Sequence, residues 1–68
     1  MKIKINHQIH QVSNQTTILQ LMEELFPERK SFGMAVAVNQ SIIDKSNWSS
    51  YFLQEDDSLT LIKATQGG

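Results

Sequence analysis

Apolar and polar residues alternate with two different periods along this chain, and the changes of period mark its elements. Ile3 and Ile5 alternate with Lys2, Lys4 and Asn6, the period-two pattern of a half-buried strand, and Asn6-His7-Gln8 supplies a polar turn. Ile9 and Val12 read as a second short strand, so the opening is a β-hairpin. After a loop at Ser13-Asn14-Gln15-Thr16 the period lengthens. Ile18, Leu21, Met22 and Leu25 fall at i, i+3, i+4 and i+7 with Gln20, Glu23 and Glu24 between them, which predicts a helix of two to three turns with one apolar face. Thr17 followed three residues later by Gln20 fits a capping box at its start. Pro27 cannot continue the helix, because its missing N–H and its ring break the ladder, and Glu28-Arg29-Lys30-Ser31 reads as a solvated connection.

Period two then returns. Met34-Ala35-Val36-Ala37-Val38 predicts a strand with large residues on one face and alanines on the other. Asn39-Gln40-Ser41 turns the chain, and Ile42-Ile43 pairs back as a short strand. Ser46 to Leu53 is irregular, with a single helical turn and with Trp48, Phe52 and Leu53 closing the end of the core. Gln54-Glu55-Asp56-Asp57 is an acidic turn, and Leu59 and Leu61 alternate with Ser58 and Thr60 in a last strand that puts Ile62 and Ala64 on the opposite face. A helix between the second and third strands prevents those two from being hairpin neighbours. The economical arrangement is α+β: one mixed sheet of four to five strands, first and last strands side by side in the middle, with the helix across one face.

Composition narrows the function. A chain of 68 residues makes one small domain, and 40% hydrophobic with 19% charged residues is ordinary globular composition. Six Lys and Arg against seven Asp and Glu give a formal net charge of -1, without the basic excess of a nucleic-acid or membrane-surface binder. No cysteine is present, which suits a reducing cytoplasm and leaves neither a disulfide frame nor a cysteine metal site. The longest apolar run, Met34 to Val38, is far short of a membrane span, and the N-terminus lacks the apolar stretch of a signal peptide.

Chemistry concentrates at the end of the chain. Thr65-Gln66-Gly67-Gly68 follows the last strand, and two glycines lack the side chains that would pin them to a core, so residues 65–68 are expected to form a flexible tail beyond a domain spanning 1–64. A partner's cleft can close around a Gly-Gly backbone from both sides. The free α-carboxylate of Gly68 is ionised at neutral pH and is a poor electrophile until another protein activates it. If residues 65–68 are extended, that carboxylate stands on the order of 13 Å from the sheet.

The ββαββ order, the helix opened by Thr17, the run Ala35-Val36-Ala37-Val38-Asn39, Trp48, the strand Leu59-Thr60-Leu61-Ile62 and the terminal Gly67-Gly68 together resemble the β-grasp sulfur carriers. Among them the chain is most similar to the thiamine-biosynthesis sulfur carrier family, ThiS. The resemblance implies a ubiquitin-like β-grasp fold and a carrier without an active site of its own. An adenylyltransferase resembling ThiF would use ATP and Mg²⁺ to turn the Gly68 carboxylate into an acyl adenylate. Sulfur from a cysteine desulfurase or other donor would leave a thiocarboxylate, and a thiazole synthase resembling ThiG would consume it. The chain would bind no cofactor itself, and would be a monomer when free. The molybdopterin synthase small subunit shares the fold, the diglycine and the thiocarboxylate, but is usually longer and differs before its tail. A ubiquitin-like modifier ending in an isopeptide bond is a further alternative.

The remaining candidates follow from placement. Ala35, Ala37, Ile62 and Ala64 are expected on the sheet face away from the helix, and with Thr65 and Gln66 they form the candidate docking surface beside the reactive Gly67-Gly68 end. Glu55, Asp56 and Asp57 either face water or meet a basic groove on a partner. His7 and His10 have no third ligand nearby and read as solvated turn residues, and Glu23 and Glu24 are exposed helix neighbours rather than an acid and base pair. No cysteine nucleophile, Ser-His-Asp set of plausible order or phosphate-cradling glycine loop marks the chain as an enzyme.

Overall fold

A computed structural model of the chain describes residues 1–27 and 33–63. Strands β1 (Lys2–Ile5) and β2 (Gln8–Gln11) form the opening hairpin, antiparallel from Lys2↔Gln11 to Ile5↔Gln8. The turn between them holds only Asn6 and His7, with φ of 48° and 73°. Two successive left-handed residues make the tight hairpin turn whose twist matches that of its strands, so Gln8 belongs to the strand rather than to the turn. The second strand also differs from expectation in what it buries. Val12 falls just past β2, and Ile9 lies opposite Lys4 on the face away from the helix, 60% exposed. Residues three apart in a strand point to opposite faces, so Ile9 and Val12 cannot both face the core.

Helix α1 (Ile18–Leu25) starts as its sequence dictates. The Thr17 hydroxyl accepts from the Gln20 N–H at 3.1 Å, and the Gln20 side-chain oxygen accepts from the Thr17 N–H at 2.9 Å. Two more of its first N–H groups are satisfied from outside the helix: Ile18 donates to the Tyr51 carbonyl at 3.0 Å and Leu19 to the Trp48 carbonyl at 3.1 Å. The irregular stretch is thereby tied to the helix start. Phe26 closes the helix and Pro27 follows. Ile18, Leu21 and Met22 form its buried stripe.

Strands β3 (Met34–Val38) and β4 (Ser41–Ile43) flank a second turn of the same kind, Asn39 and Gln40 at φ 50° and 74°. The last strand, β5 (Ser58–Lys63), runs parallel to β1 and antiparallel to β3, giving one sheet in the order β2-β1-β5-β3-β4. The first and last strands therefore meet at its centre. On the helix side, Ile3, Ile5, Val36, Val38 and Leu59 pack with Ile18, Leu21, Met22, Trp48 and Leu53 in one core cluster. Trp48 follows a 3₁₀ turn at Lys45–Asn47; its indole N–H donates to the Ile43 carbonyl at 3.1 Å, and the Lys45 ammonium stands 5.6 Å from the ring centroid. The wide aromatic ring can be buried because its polar atom is partnered.

Two expectations are corrected here. Phe52 does not close the core: it is 52% exposed, while its backbone bridges Thr17 and its neighbour Leu53 turns inward. In an extended segment adjacent side chains face opposite ways, so only one of the pair can enter the core. Asp57 does not face water but is buried at 7% exposure, its carboxylate accepting from the Gln54 N–H at 2.8 Å and the Asn39 side-chain amide at 3.0 Å.

Candidate functional site

Strand β5 delivers the chain to the candidate site, and its two neighbours release it at different points. On one side β3 follows it to the last rung, from Val38↔Leu59 through to Met34↔Lys63. On the other, β1 contributes only Lys4↔Ser58 and Ile5↔Leu59 before the Asn6-His7 turn leads away to β2. Asn6 extends that side by one step. Its backbone N–H donates to the Leu59 carbonyl at 3.0 Å, and its side-chain oxygen accepts from the Leu61 N–H at 2.9 Å. Residues 64–68 come next. The expected tail at 65–68 and the candidates Ala64, Thr65, Gln66, Gly67 and Gly68 lie outside the described residues.

The described part of the candidate docking surface lies on the face turned away from the helix, as the register requires. Ala35 is opposite Ile62, and Ala37 is opposite both Thr60 and Ile42. The side chains contribute unequally. Ile62 is 44% exposed and Ala35 half-buried, but Ala37 is closed in at 7%, so it offers the floor of the patch rather than its surface. A methyl side chain between larger neighbours on both flanking strands has little area left to present. Ile42, at 68%, is the most exposed large apolar residue named on this face, and sequence reasoning missed it. The signal was in the chain: two adjacent isoleucines in one strand must face opposite ways, so one of Ile42 and Ile43 faces outward. Ile9 adds a further exposed apolar side chain beyond Lys4.

The other candidates do not converge with this patch. The acidic turn precedes Ser58, so it sits at the far end of β5 from Lys63, about 17 Å away along a six-residue strand. Glu55 there accepts the Lys2 N–H at 3.3 Å, and Asp56 holds a left-handed φ of 69°. His7 is in the hairpin turn and His10 is opposite Ile3 on an edge strand. Among the described residues no group of three or more His, Cys, Asp or Glu side chains is placed to hold a metal ion. Glu23 and Glu24 are exposed on α1. Among the described residues no helix is long and apolar enough to cross a membrane.

The chain has relatives of known kind. It is 31% identical to the sulfur carrier protein ThiS of Escherichia coli (strain K12) over 68 residues, covering the full length of both. The crystal structure of a thiamine biosynthesis protein (ThiS) from Geobacter metallireducens superposes with a TM-score of 0.85, each chain covered completely, at 14% identity. At that identity the likeness establishes the β-grasp fold. The ThiS family model matches residues 3–68, thus taking in the sheet, the helix and the Gly67-Gly68 end, and the chain belongs to the ThiS family.

Proposed function

We propose that this chain is a sulfur carrier of thiamine biosynthesis, a protein cosubstrate whose Gly68 carboxylate is activated and thiolated by other proteins. The observation that carries the reading is the extent of the family match, which runs through Gly67 and Gly68 to residue 68. In the first step the Gly68 carboxylate oxygen attacks the α-phosphorus of ATP on a ThiF-like adenylyltransferase, and pyrophosphate leaves. The mixed anhydride supplies the electrophilicity that a carboxylate lacks. Sulfur from a persulfide donor, such as that of a cysteine desulfurase, then attacks the acyl carbon and expels AMP. A second thiol attacks the donor's sulfur in the resulting acyl disulfide, releasing the thiocarboxylate and forming a disulfide with the donor. A ThiG-like thiazole synthase takes up that sulfur.

ATP and Mg²⁺ belong to the activating enzyme, and the carrier contributes recognition and reach. Ile62 and Ile42, with Ala35 beside them and Ala37 beneath, form an apolar patch near the end of β5 suited to docking that enzyme. In sequence Thr65 and Gln66 precede the diglycine, which a narrow nucleotide site can enclose. The free carrier works as a monomer in the cytoplasm, where ATP is at hand and where a chain without cysteine is at home.

Mass spectrometry tests the reading. After incubation with the activating enzyme, ATP, a sulfur source and reductant, the intact chain should gain the mass difference between sulfur and oxygen, localised to Gly68. A ladder of lysine conjugates in place of that gain would show a protein modifier, and no change at Gly68 would refute the proposal.

A further inference from the structure

We infer that Asn6 is a positioning residue for the reaction at Gly68: its side chain fixes the point at which β5 leaves the sheet, and thereby the reach of the residues that follow. Asn6 grips β5 at two places, its N–H on the Leu59 carbonyl at 3.0 Å and its side-chain oxygen on the Leu61 N–H at 2.9 Å. In a parallel ladder the second of these bonds belongs to the residue's own carbonyl. At φ 48° Asn6 has already turned into the hairpin, and the side-chain oxygen takes the place of that carbonyl. The hairpin can therefore turn away while the β1 side of β5 stays held for one more rung. Asparagine meets both requirements, since it tolerates the left-handed region and carries an acceptor of suitable length.

This grip is the last described contact on the β1 side before the chain passes through Lys63 toward Gly68. Without it, Leu61 to Lys63 are held by β3 alone, and the strand end can fray. Fraying lengthens the tether between the docked sheet and the reacting carboxylate. A longer tether lowers the effective concentration of that carboxylate in the nucleotide site, while docking through the sheet face is left in place. The inference rests on the proposed activation of Gly68, and its test separates the two.

The measurement is ATP-pyrophosphate exchange by the activating enzyme, with the carrier as varied substrate. Asn6→Gly keeps the left-handed turn and removes the acceptor. Its kcat should fall roughly three- to ten-fold with KM changed by less than about two-fold, and the Leu61 amide should exchange hydrogen faster. Asn6→Asp, which keeps both turn and acceptor, should restore kcat and protection. Should the glycine variant fail to fold, Asn6→Ser serves instead, its oxygen being one bond too short for Leu61. A folded acceptor-less variant with wild-type kcat, or an aspartate variant that is folded but does not restore it, overturns the positioning role. No exchange with the wild-type carrier itself overturns the underlying reading of Gly68.

Discussion

Asn39, in the turn after β3, is bonded to Asp57, the residue before β5, its side-chain amide donating to the Asp57 carboxylate at 3.0 Å. The same asparagine clasps the first residue of β5 from both directions: its N–H donates to the Ser58 carbonyl at 2.8 Å, and its side-chain oxygen accepts the Ser58 N–H at 3.0 Å. Asp57 in turn receives the Gln54 N–H at 2.8 Å, and its own carbonyl receives the Lys4 N–H at 2.9 Å. One buried carboxylate thus joins the acidic turn and the β3–β4 turn at the point where β1 and β5 come together. Asn6 clasps β5 in a related way farther along the strand, so both hairpin turns adjoining the central strand use an asparagine to hold it.

Removing the carboxylate tests that junction. Asp57→Ala leaves the Gln54 N–H and the Asn39 amide without their acceptor in a site largely closed to water, and bonds to a charged group are among the stronger ones. The variant should lose about 2 kcal/mol of folding free energy, read as a lower urea midpoint with unchanged slope. A loss below about 0.5 kcal/mol would show that water replaces the carboxylate without penalty.

The turns themselves carry removable strain. His7 and Gln40 occupy the second left-handed position of their hairpin turns, at φ 73° and 74°, where a side chain crowds the backbone and glycine does not. His7→Gly and Gln40→Gly should each stabilise the fold by about 0.5 to 1 kcal/mol, raising the melting midpoint by several degrees for a domain of this size. Gly replacing a residue at negative φ has the opposite effect, so a lower midpoint in both variants would contradict the turn assignment.

The apolar patch is tested by charge. Ile62→Glu and Ile42→Glu each place a carboxylate on an exposed site that faces away from the core, so the far-ultraviolet spectrum and the melting midpoint should stay close to those of the parent. Activation by the adenylyltransferase should weaken at least about ten-fold in kcat/KM, the scale expected when an interface must bury an unpaired charge. Unchanged kinetics in both variants would remove the patch from the docking surface. An effect of Ile62→Glu alone would confine the contact to the strand leading to the diglycine.

Periodicity made the fold legible wherever one residue spacing held for several residues. Ile3 and Ile5, the stripe Ile18, Leu21, Met22 and the run Met34 to Val38 each repeat their period and each occupy the predicted element. The capping box was readable because both partners lie within one turn of chain. Ile9 and Phe52 were misplaced because strand alternation allows only one residue of each pair, Ile9 with Val12 and Phe52 with Leu53, to face the core, whereas Asp57 was misplaced because its burial is decided far away in sequence. Asp57 is buried by Asn39, eighteen residues earlier, and nothing in Glu55-Asp56-Asp57 distinguishes the inward carboxylate from its neighbours. Asn6 shows the same limit more sharply: as a turn asparagine it was plain, but its bond to Leu61 spans 55 residues. Of the candidate docking surface, the alanine face was legible from alternation, and the same alternation requires one of Ile42 and Ile43 to face outward, but which of the two does so is set by the register Ala37↔Ile42 with β3.

The position of the Gly68 carboxylate is the most demanding part of the proposed chemistry. In-line attack on a phosphorus atom needs the carboxylate oxygen within a few tenths of an ångström of one place, while in the proposed complex the sheet face would fix the carrier on its partner from the other end of the tether. One alanine added after Gly68 shifts the carboxylate by about 3.5 Å and places a methyl group where only glycine precedes it. Among the described residues the core cluster draws on none later in the chain than Leu59, with Leu61 packed against it, so folding should be unaffected. Adenylation and thiocarboxylate formation should fall to background. The extended chain must be checked by intact mass before and after the reaction, since a peptidase that trims the alanine would regenerate the parent. If the untrimmed chain still acquires sulfur at its end, the site does not measure tail length, and neither the Gly-Gly requirement nor the positioning role of Asn6 would stand.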